Sequence, residues 1–484
     1  MRRRNSGVVF FLPLVDPGAF RSNFVYRVAQ RAPTMKVAIV GSGIAGLAVA
    51  HRLHPHASVT VLEAGAYFGG HTHTVDLELP VGGRSVRHGV DTGFLVFNER
   101  TYPQLIALLA ELDVHTSASD MSFSVQVTDP ARGRHLEWSG NTLNSVFSQR
   151  RNLLNPRFLG MLRDLQRFNR LTQRIARDGD EDQLQQPLGA FLRAHGFGEA
   201  FCDWYFMPMV ACIWSCPKAR MLQFPVATMI RFCDNHGLNQ VSNRPPWRTV
   251  TAGARHYVDK ILSRVHDKRL NTPVRAIRRH GAGAGVTLAT DRGEEHFDKV
   301  VLATHSDQSL ALLSDASAQE RATLGAIRYH PNRAVLHTDV SMLPRHRRAW
   351  AAWNYESKVV TGAQETDAGD TVCLHYLINK LQPVPWTQPV VVSLNPIRAI
   401  ARETIVGSFD YAHPVFDHAA IAAQAQVATL QGVRDTYFCG AWMGYGFHED
   451  GLKAGLDVAQ RLLGAPSSVV AREHREPQRE EVLA

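Results

Sequence analysis

The tightest constraint on the fold is a short text near the N-terminus: Lys36-Val-Ala-Ile-Val40, then Gly41-Ser42-Gly43-Ile44-Ala45-Gly46, then an alanine- and leucine-rich stretch ending at Leu53. The β-branched run reads as a buried strand and the stretch after it as a helix. A strand that turns at once into a helix needs one glycine for the turn, a second where backbone approaches a ligand, and a third where helix meets strand. The helix N-terminus then offers unpaired amides to an anion. A second strand, Val59–Leu62, ends in Glu63, which closes one βαβ unit. Gly-x-Gly-x-x-Gly alone also marks ordinary turns. The strand before it, the helix after it and the acid at the end of the next strand make it a dinucleotide motif, with Glu63 as acceptor for ribose hydroxyls.

The rest of the 484 residues must form more than this unit, and a 45% hydrophobic content is enough to bury a second core. After Pro156, Phe158, Leu162, Leu165, Phe168, Leu171 and Ile175 recur at helical spacing, with Arg163, Arg167, Arg170, Arg174 and Arg177 on other faces, a basic amphipathic helix. The aromatic, methionine and cysteine density of residues 201–232 suits a buried wall. Substrate contacts are expected there, around Trp204, Tyr205, Met207, Met209 and Trp214. Strands are expected at Val274–Arg278 and Val286–Ala289, a hairpin feeding a parallel strand at Val300–Ala303. The pattern closes with a strand at Tyr437-Phe438, a glycine-rich turn and a helix from about Gly451 to Leu463.

The net charge of +9 is spread over many segments, which does not indicate nucleic acid. Cys202, Cys212, Cys216, Cys233, Cys373 and Cys439 lack paired spacing, so neither a disulfide framework nor a metal site is expected. No apolar run reaches the roughly 18 residues of a spanning helix. Residues 1–34 place Arg2, Arg3 and Arg4 before an apolar stretch broken by Pro13, with no cleavage signal, and read as a leader outside the fold. The polar tail from Pro466 reads as disordered.

Beyond Glu63-Ala64 come Gly69-Gly70-His71-Thr72, Asp91-Thr92-Gly93-Phe94 and Asn271-Thr-Pro-Val274. At the far end come Phe438-Cys439-Gly440-Ala441-Trp442 and Glu449-Asp450-Gly451-Leu-Lys-Ala-Gly455. From Met35 to about Leu463 this chain resembles the flavin-containing amine oxidases and their phytoene-desaturase relatives. The resemblance implies an α/β fold: a two-dinucleotide-binding-domain, Rossmann-like FAD domain with an inserted mixed α+β substrate domain. Residues 35–110, 245–310 and 430–464 would form the first, and 111–244 and 311–429 the second. It implies non-covalent FAD held by Gly41 to Gly46, Glu63, Ala64, Gly70, His71, Thr72, Gly93, Val274, Gly440, Ala441, Glu449 and Gly451. Two positions depart from the pattern: His71 replaces an arginine and Ala441 an acid. His448 falls close to an aromatic that lines the flavin face, with Trp442, Tyr445 and Phe447 nearby. His448 is a candidate base or substrate-orienting group, since imidazole titrates near neutrality, although a histidine at a helix entry is also an ordinary structural residue.

The runs Gly70–Val75, Asp91–Arg100 and Gly444–Asp450 resemble, more narrowly, a bacterial flavoprotein subgroup similar to the flavoprotein domain of plant cyclopropane fatty acid synthases. What this implies is dehydrogenation or desaturation of a fatty acyl chain in a cytoplasmic protein. It also implies a lipid methyltransferase as partner; the basic helix could lie on the inner membrane surface with its apolar side down, although amphipathic helices more often pack that face on their own core. An amine oxidase yielding imine and peroxide, and a flavin-binding accessory protein without turnover, are the other readings.

Overall fold

The computed structural model describes residues 35–129, 133–178, 184, 186–214, 221–235, 245–281, 283–358 and 372–464. The expected leader, the polar tail, Cys216 and the side chains of Arg177 and Trp214 lie outside the described residues. The strand β1 (Lys36–Val40) sits at the centre of a five-stranded parallel sheet. Its neighbours are β2 (Ser58–Leu62) and Lys299–Leu302, with Asp267–Arg269 and Thr436–Phe438 at the edges. A strand covered on both faces must be apolar throughout, and Val37, Ala38 and Ile39 are fully buried.

The helix α1 (Ile44–Leu53) covers one face together with the last described helix, His448–Leu462. These two cross closely: a Cβ on Gly455 would lie 2.2 Å from the Ala45 carbonyl oxygen. An antiparallel meander, Val274–Arg279, Val286–Thr290 and Gly293–Phe297, packs on the other face through Ile277, Leu288 and Phe297. Its third strand, Gly-Glu-Glu-His-Phe, escapes a hydrophobic-pattern reading because four of its five residues are exposed. The last described helix starts at His448, three residues before the expected Gly451. The Asp450 carboxylate accepts from the Tyr445 and Phe447 amides and fixes the turn that precedes it.

A second, seven-stranded sheet runs in the order Ile405–Val415, Arg328–His337, Val391–Leu394, Cys373–Leu377, Trp353–Lys358, Phe123–Asp129, Arg134–Ser139. All neighbours are antiparallel except Trp353–Lys358 with Phe123–Asp129. Helices cover it, among them α2 (Pro156–Asp178), whose apolar residues Phe158, Met161, Phe168 and Ile175 are buried in the protein's own core. The expectation that this face lies on lipid is therefore corrected. Phe168 packs at 5.5 Å from Phe201 and 4.7 Å from Phe206, and no lipid can reach it.

This sheet also buries an ionic network. Arg398 pairs with both oxygens of Glu356 at 2.6 and 3.1 Å, His375 Nε2 lies 2.9 Å from Glu356 Oε2, and Ser393 Oγ bridges His375 and His337 at 2.7 Å each. Ligand atoms of Glu356, Cys373 and His375 lie within 4.8 Å of one another, but Arg398 and a protonated His375 already neutralise the carboxylate that a metal would need. Burial alone would lower the His375 pKa. The adjacent Cys373 and Glu356 reverse this and raise it to about 9. A histidine raised from 6.5 contributes stability that is complete below that value and lost as pH rises through about 9. The melting temperature should fall over that interval. His375→Gln should cost about 3–5 kcal/mol at the lower end and flatten the slope. A variant with the wild-type pH dependence contradicts this account.

Candidate active site

Ligands of parallel α/β sheets sit outside the carboxyl ends of the strands, and a cavity of about 510 Å³ opens there. Gly41 to Ala45, Glu63 and Gly69 to His71 line one end. The other end is apolar: Met121 and Phe123, then Met209, Cys212 and Ile213 of α3 (Met207–Trp214), then Trp247, Trp353 and Tyr376. Phe94, His305, His413, Ala441, Trp442, Tyr445 and His448 lie between the two.

At the polar end, Gly41 turns with φ +98°, and a Cβ there would meet the Ala303 carbonyl oxygen at 2.9 Å. A Cβ on Gly46 would lie 2.1 Å from the Gly41 carbonyl oxygen, so the third glycine is what seats α1 on the turn. At Gly43 a Cβ would meet nothing within 4 Å: this is the cradle left for a ligand. The helix begins without a side-chain cap and without an acid in its first turn, so its first amides remain available to an anion. Glu63 Oε2 accepts from Ser42 N and Oγ at 3.0 and 2.5 Å, and Oε1 accepts from Gly65 N at 2.9 Å. A carboxylate has about four acceptor positions, so one is left for a hydroxyl. Ser42 Oγ also accepts from Gly69 N at 3.1 Å, which ties the Gly69–Gly70 turn over the helix N-terminus. Acid, amides and open glycine together fit a ribose followed by a diphosphate.

The other expected cofactor residues divide. Gly70, His71, Gly93, Gly440 and Ala441 line the cavity. Ala64 is exposed outside it, Val274 is buried in the meander core, and Gly451 seats the last helix, its Cβ position 2.9 Å from Ile44 Cγ2. Glu449 is turned away: its two oxygens accept from the amides of Gln104 and Leu105, 3.0 Å each, at the start of the helix Pro103–Glu111. Those amides have no partner within their own helix, and a carboxylate is their natural cap. Thr72 is buried beside the cavity, its hydroxyl bonded to Tyr257. Trp442 lines the cavity, but its indole N–H is committed to the Thr304 carbonyl at 3.1 Å.

His448 stacks on Phe94, ring centroids 3.9 Å apart and 11° from parallel, and its Nε2 lies 2.6 Å from the Tyr257 hydroxyl. Burial pushes its pKa down to about 3. Such a ring is neutral near pH 7 and holds an added proton weakly, so the geometry favours a wall and an orienting group over a base. The same holds around it. Burial and neighbouring histidines hold His71 well below its usual value and His413 at about 4, and burial lowers His305, which stacks on Tyr329. Neutral imidazoles thus line the cavity, with the ring centroids of His71 and His413 5.4 Å apart.

The tautomer of His413 follows from a directed relay. The Arg333 amide, which can only donate, donates to Asn395 Oδ1 at 2.7 Å; Asn395 Nδ2 donates to Asn332 Oδ1 at 2.7 Å; Asn332 Nδ2 donates to His413 Nδ1 at 3.2 Å. With Nδ1 an acceptor, the neutral ring carries its hydrogen on Nε2 and can donate to a ligand. Sequence reasoning named neither His413, His305, Tyr257 nor the aromatic lining from Phe123, Trp247, Trp353 and Tyr376. The one signal was polar residues, such as His413, placed within strands that pack on a core.

Residues 44–336 match the profile of the family described as flavin containing amine oxidoreductase. No curated protein sequence matches the chain. Solved structures that share its fold include the following three. A CLA-producing fatty acid isomerase from P. acnes is 16% identical, with a TM-score of 0.59, covering 89% of this chain and 99% of its own. A putrescine oxidase bound to putrescine is 15% identical with a TM-score of 0.59 and the same coverages. A cyclohexylamine oxidase from Brevibacterium oxydans is 16% identical with a TM-score of 0.58, covering 89% and 100%. Gly43→Ala tests the cradle: the folded protein should keep its melting temperature without flavin but lose FAD affinity by at least roughly tenfold, about 1.4 kcal/mol. Unchanged flavin content contradicts the placement.

Proposed function

The chain belongs to the family of flavin-containing amine oxidoreductases, and from that premise we propose that this FAD-dependent oxidoreductase dehydrogenates or desaturates a neutral apolar substrate, a fatty acyl chain of a lipid. The observation that carries the reading is the charge of the cavity. Among its described lining residues there is no lysine or arginine, and the one carboxylate, Glu63, belongs to the nucleotide end. An alkylammonium group would enter a place with no counter-ion, and burying an unpaired charge is costly. A neutral chain meets Met209, Ile213, Trp247, Trp353 and Tyr376 at no such cost. Relatives in fold include both a fatty acid isomerase and amine oxidases, so fold alone leaves both substrate classes open, and the lining supports the neutral chain.

FAD supplies the redox chemistry, accepting a hydride when bound. The chain's own residues do the rest. Gly41 to Ala45, Glu63, Gly70 and His71 would hold the cofactor, and Gly440 and Ala441 would contribute backbone, since Ala441 offers no side-chain acceptor. Phe94, Tyr445 and His448 wall the reacting region, and the apolar end excludes water. His413, with its donor on Nε2, orients a neutral acceptor such as an ester carbonyl. A phospholipid acyl chain as substrate requires the protein to meet a membrane surface. No described helix is long and apolar enough to cross one.

The test is anaerobic. Membrane lipid extract should bleach the flavin band, and alkylamines and diamines should leave it unchanged; bleaching by amines and not by lipid establishes the amine oxidase reading instead. Because His448 and His413 stay neutral above about pH 4, the rate of reduction should show no histidine inflection between about pH 5 and 8. His448→Ala should lower the rate without changing the shape of that profile. A neutral-range inflection lost in the variant would restore His448 as a base.

A further inference from the structure

Four of the large apolar side chains exposed on the surface fall within one short stretch of the chain. Leu143, Leu153, Leu154 and Leu159 are 80, 48, 89 and 43% exposed, all within residues 143–159, a short helix, a 3-10 turn and the start of α2. The outer stripe of α2 continues from Leu159 through Arg163, Arg170 and Arg174, which recur every three to four residues or two such steps and are exposed. Arg150, Arg151 and Arg157 are exposed around the leucines. From residue 143 to 175 the only acid is Asp164, and it is engaged by the Gly198 amide at 3.0 Å. Among described residues Arg163 and Arg170 have no carboxylate partner, the side chain of Asp178, one turn beyond Arg174, lies outside the described residues, and Arg157 reaches Glu199 at 3.5 Å. Arg150 and Arg151 bond to the carbonyls of Phe147 and His135, which hold the turn in place.

We infer that this face is a docking surface for an anionic lipid bilayer. The leucines enter the interfacial layer and the arginines pair with headgroups. Projecting leucines beside exposed arginines match the chemistry of such a surface. The mode differs from a helix lying apolar side down: α2 turns its apolar side inward and offers its basic side. The docking face also backs the apolar end of the cavity. Phe168 on the inner side of α2 packs on Phe201 and Phe206, and the chain then runs into α3, whose Met209, Cys212 and Ile213 line that end. Docking does not depend on the lipid-substrate reading, but it deepens it.

Sedimentation of the FAD-loaded protein with vesicles tests this. Binding to mixed phosphatidylcholine–phosphatidylglycerol vesicles should be at least roughly tenfold tighter than to phosphatidylcholine alone and should weaken with salt. Leu143→Asp with Leu154→Asp should lower that binding by at least roughly tenfold, and Arg163→Glu with Arg170→Glu should abolish the preference for phosphatidylglycerol, with flavin spectrum and melting temperature unchanged in both. Absence of wild-type binding, wild-type binding by either folded variant, or binding to an acidic protein but not to vesicles overturns the proposal. A short, water-soluble acyl ester keeps the two claims apart. If it reduces the flavin while vesicle binding fails, docking falls and the lipid-substrate reading stands; if vesicles bind and no acyl compound reduces the flavin, the reverse holds.

Discussion

The amides at the start of α1 are the constraint on which the rest depends. A helix that begins at a glycine with neither cap nor acid leaves donors unsatisfied until an anion arrives. The parallel sheet fixes where those donors lie, because β1 is locked between β2 and Lys299–Leu302 by registers that leave no freedom at its carboxyl end. Ser42 then couples the turn to Glu63 and to Gly69, so acid, glycine loop and helix terminus are joined by direct hydrogen bonds. The last described helix packs on α1 so closely that Gly455 has no room for a side chain. The two sequence-distant ends of the nucleotide site are thus one rigid construction.

What the second sheet adds is a cavity wall without charge. Burial depresses the histidines that face the cavity, and the relay through Asn395 and Asn332 sets the proton position on His413 without an ion. A neutral wall beside a redox cofactor limits substrates by desolvation rather than by shape. A cation loses its hydration on entry and meets no carboxylate at the apolar end among the described lining residues, whereas an alkyl chain has no such hydration to lose.

Much of the first half of this construction is legible in the sequence, since strand, glycine turn, helix and Glu63 are local and each residue type answers a local demand. Glu449 was misplaced because an acid in the first turn of a helix looks the same whether it faces a ligand or caps a neighbouring helix. Only the tertiary position of Gln104 and Leu105 decides. The apolar face of α2 was ambiguous for the same reason: periodicity gives the stripe and not what covers it. The substrate end was largely illegible. Phe123, Trp353 and Tyr376 come from strands far apart in the chain whose alternation is that of any core strand, and only the sheet order brings them together.

One cavity would hold FAD at one end and a neutral chain at the other, and the visible difference spectrum of the flavin as ligands are titrated into the oxidised protein reads this. A long-chain acyl methyl ester should perturb the flavin band with saturation, and an alkylammonium ion of equal length should not. Saturating perturbation by the ammonium ion and none by the ester would contradict the account.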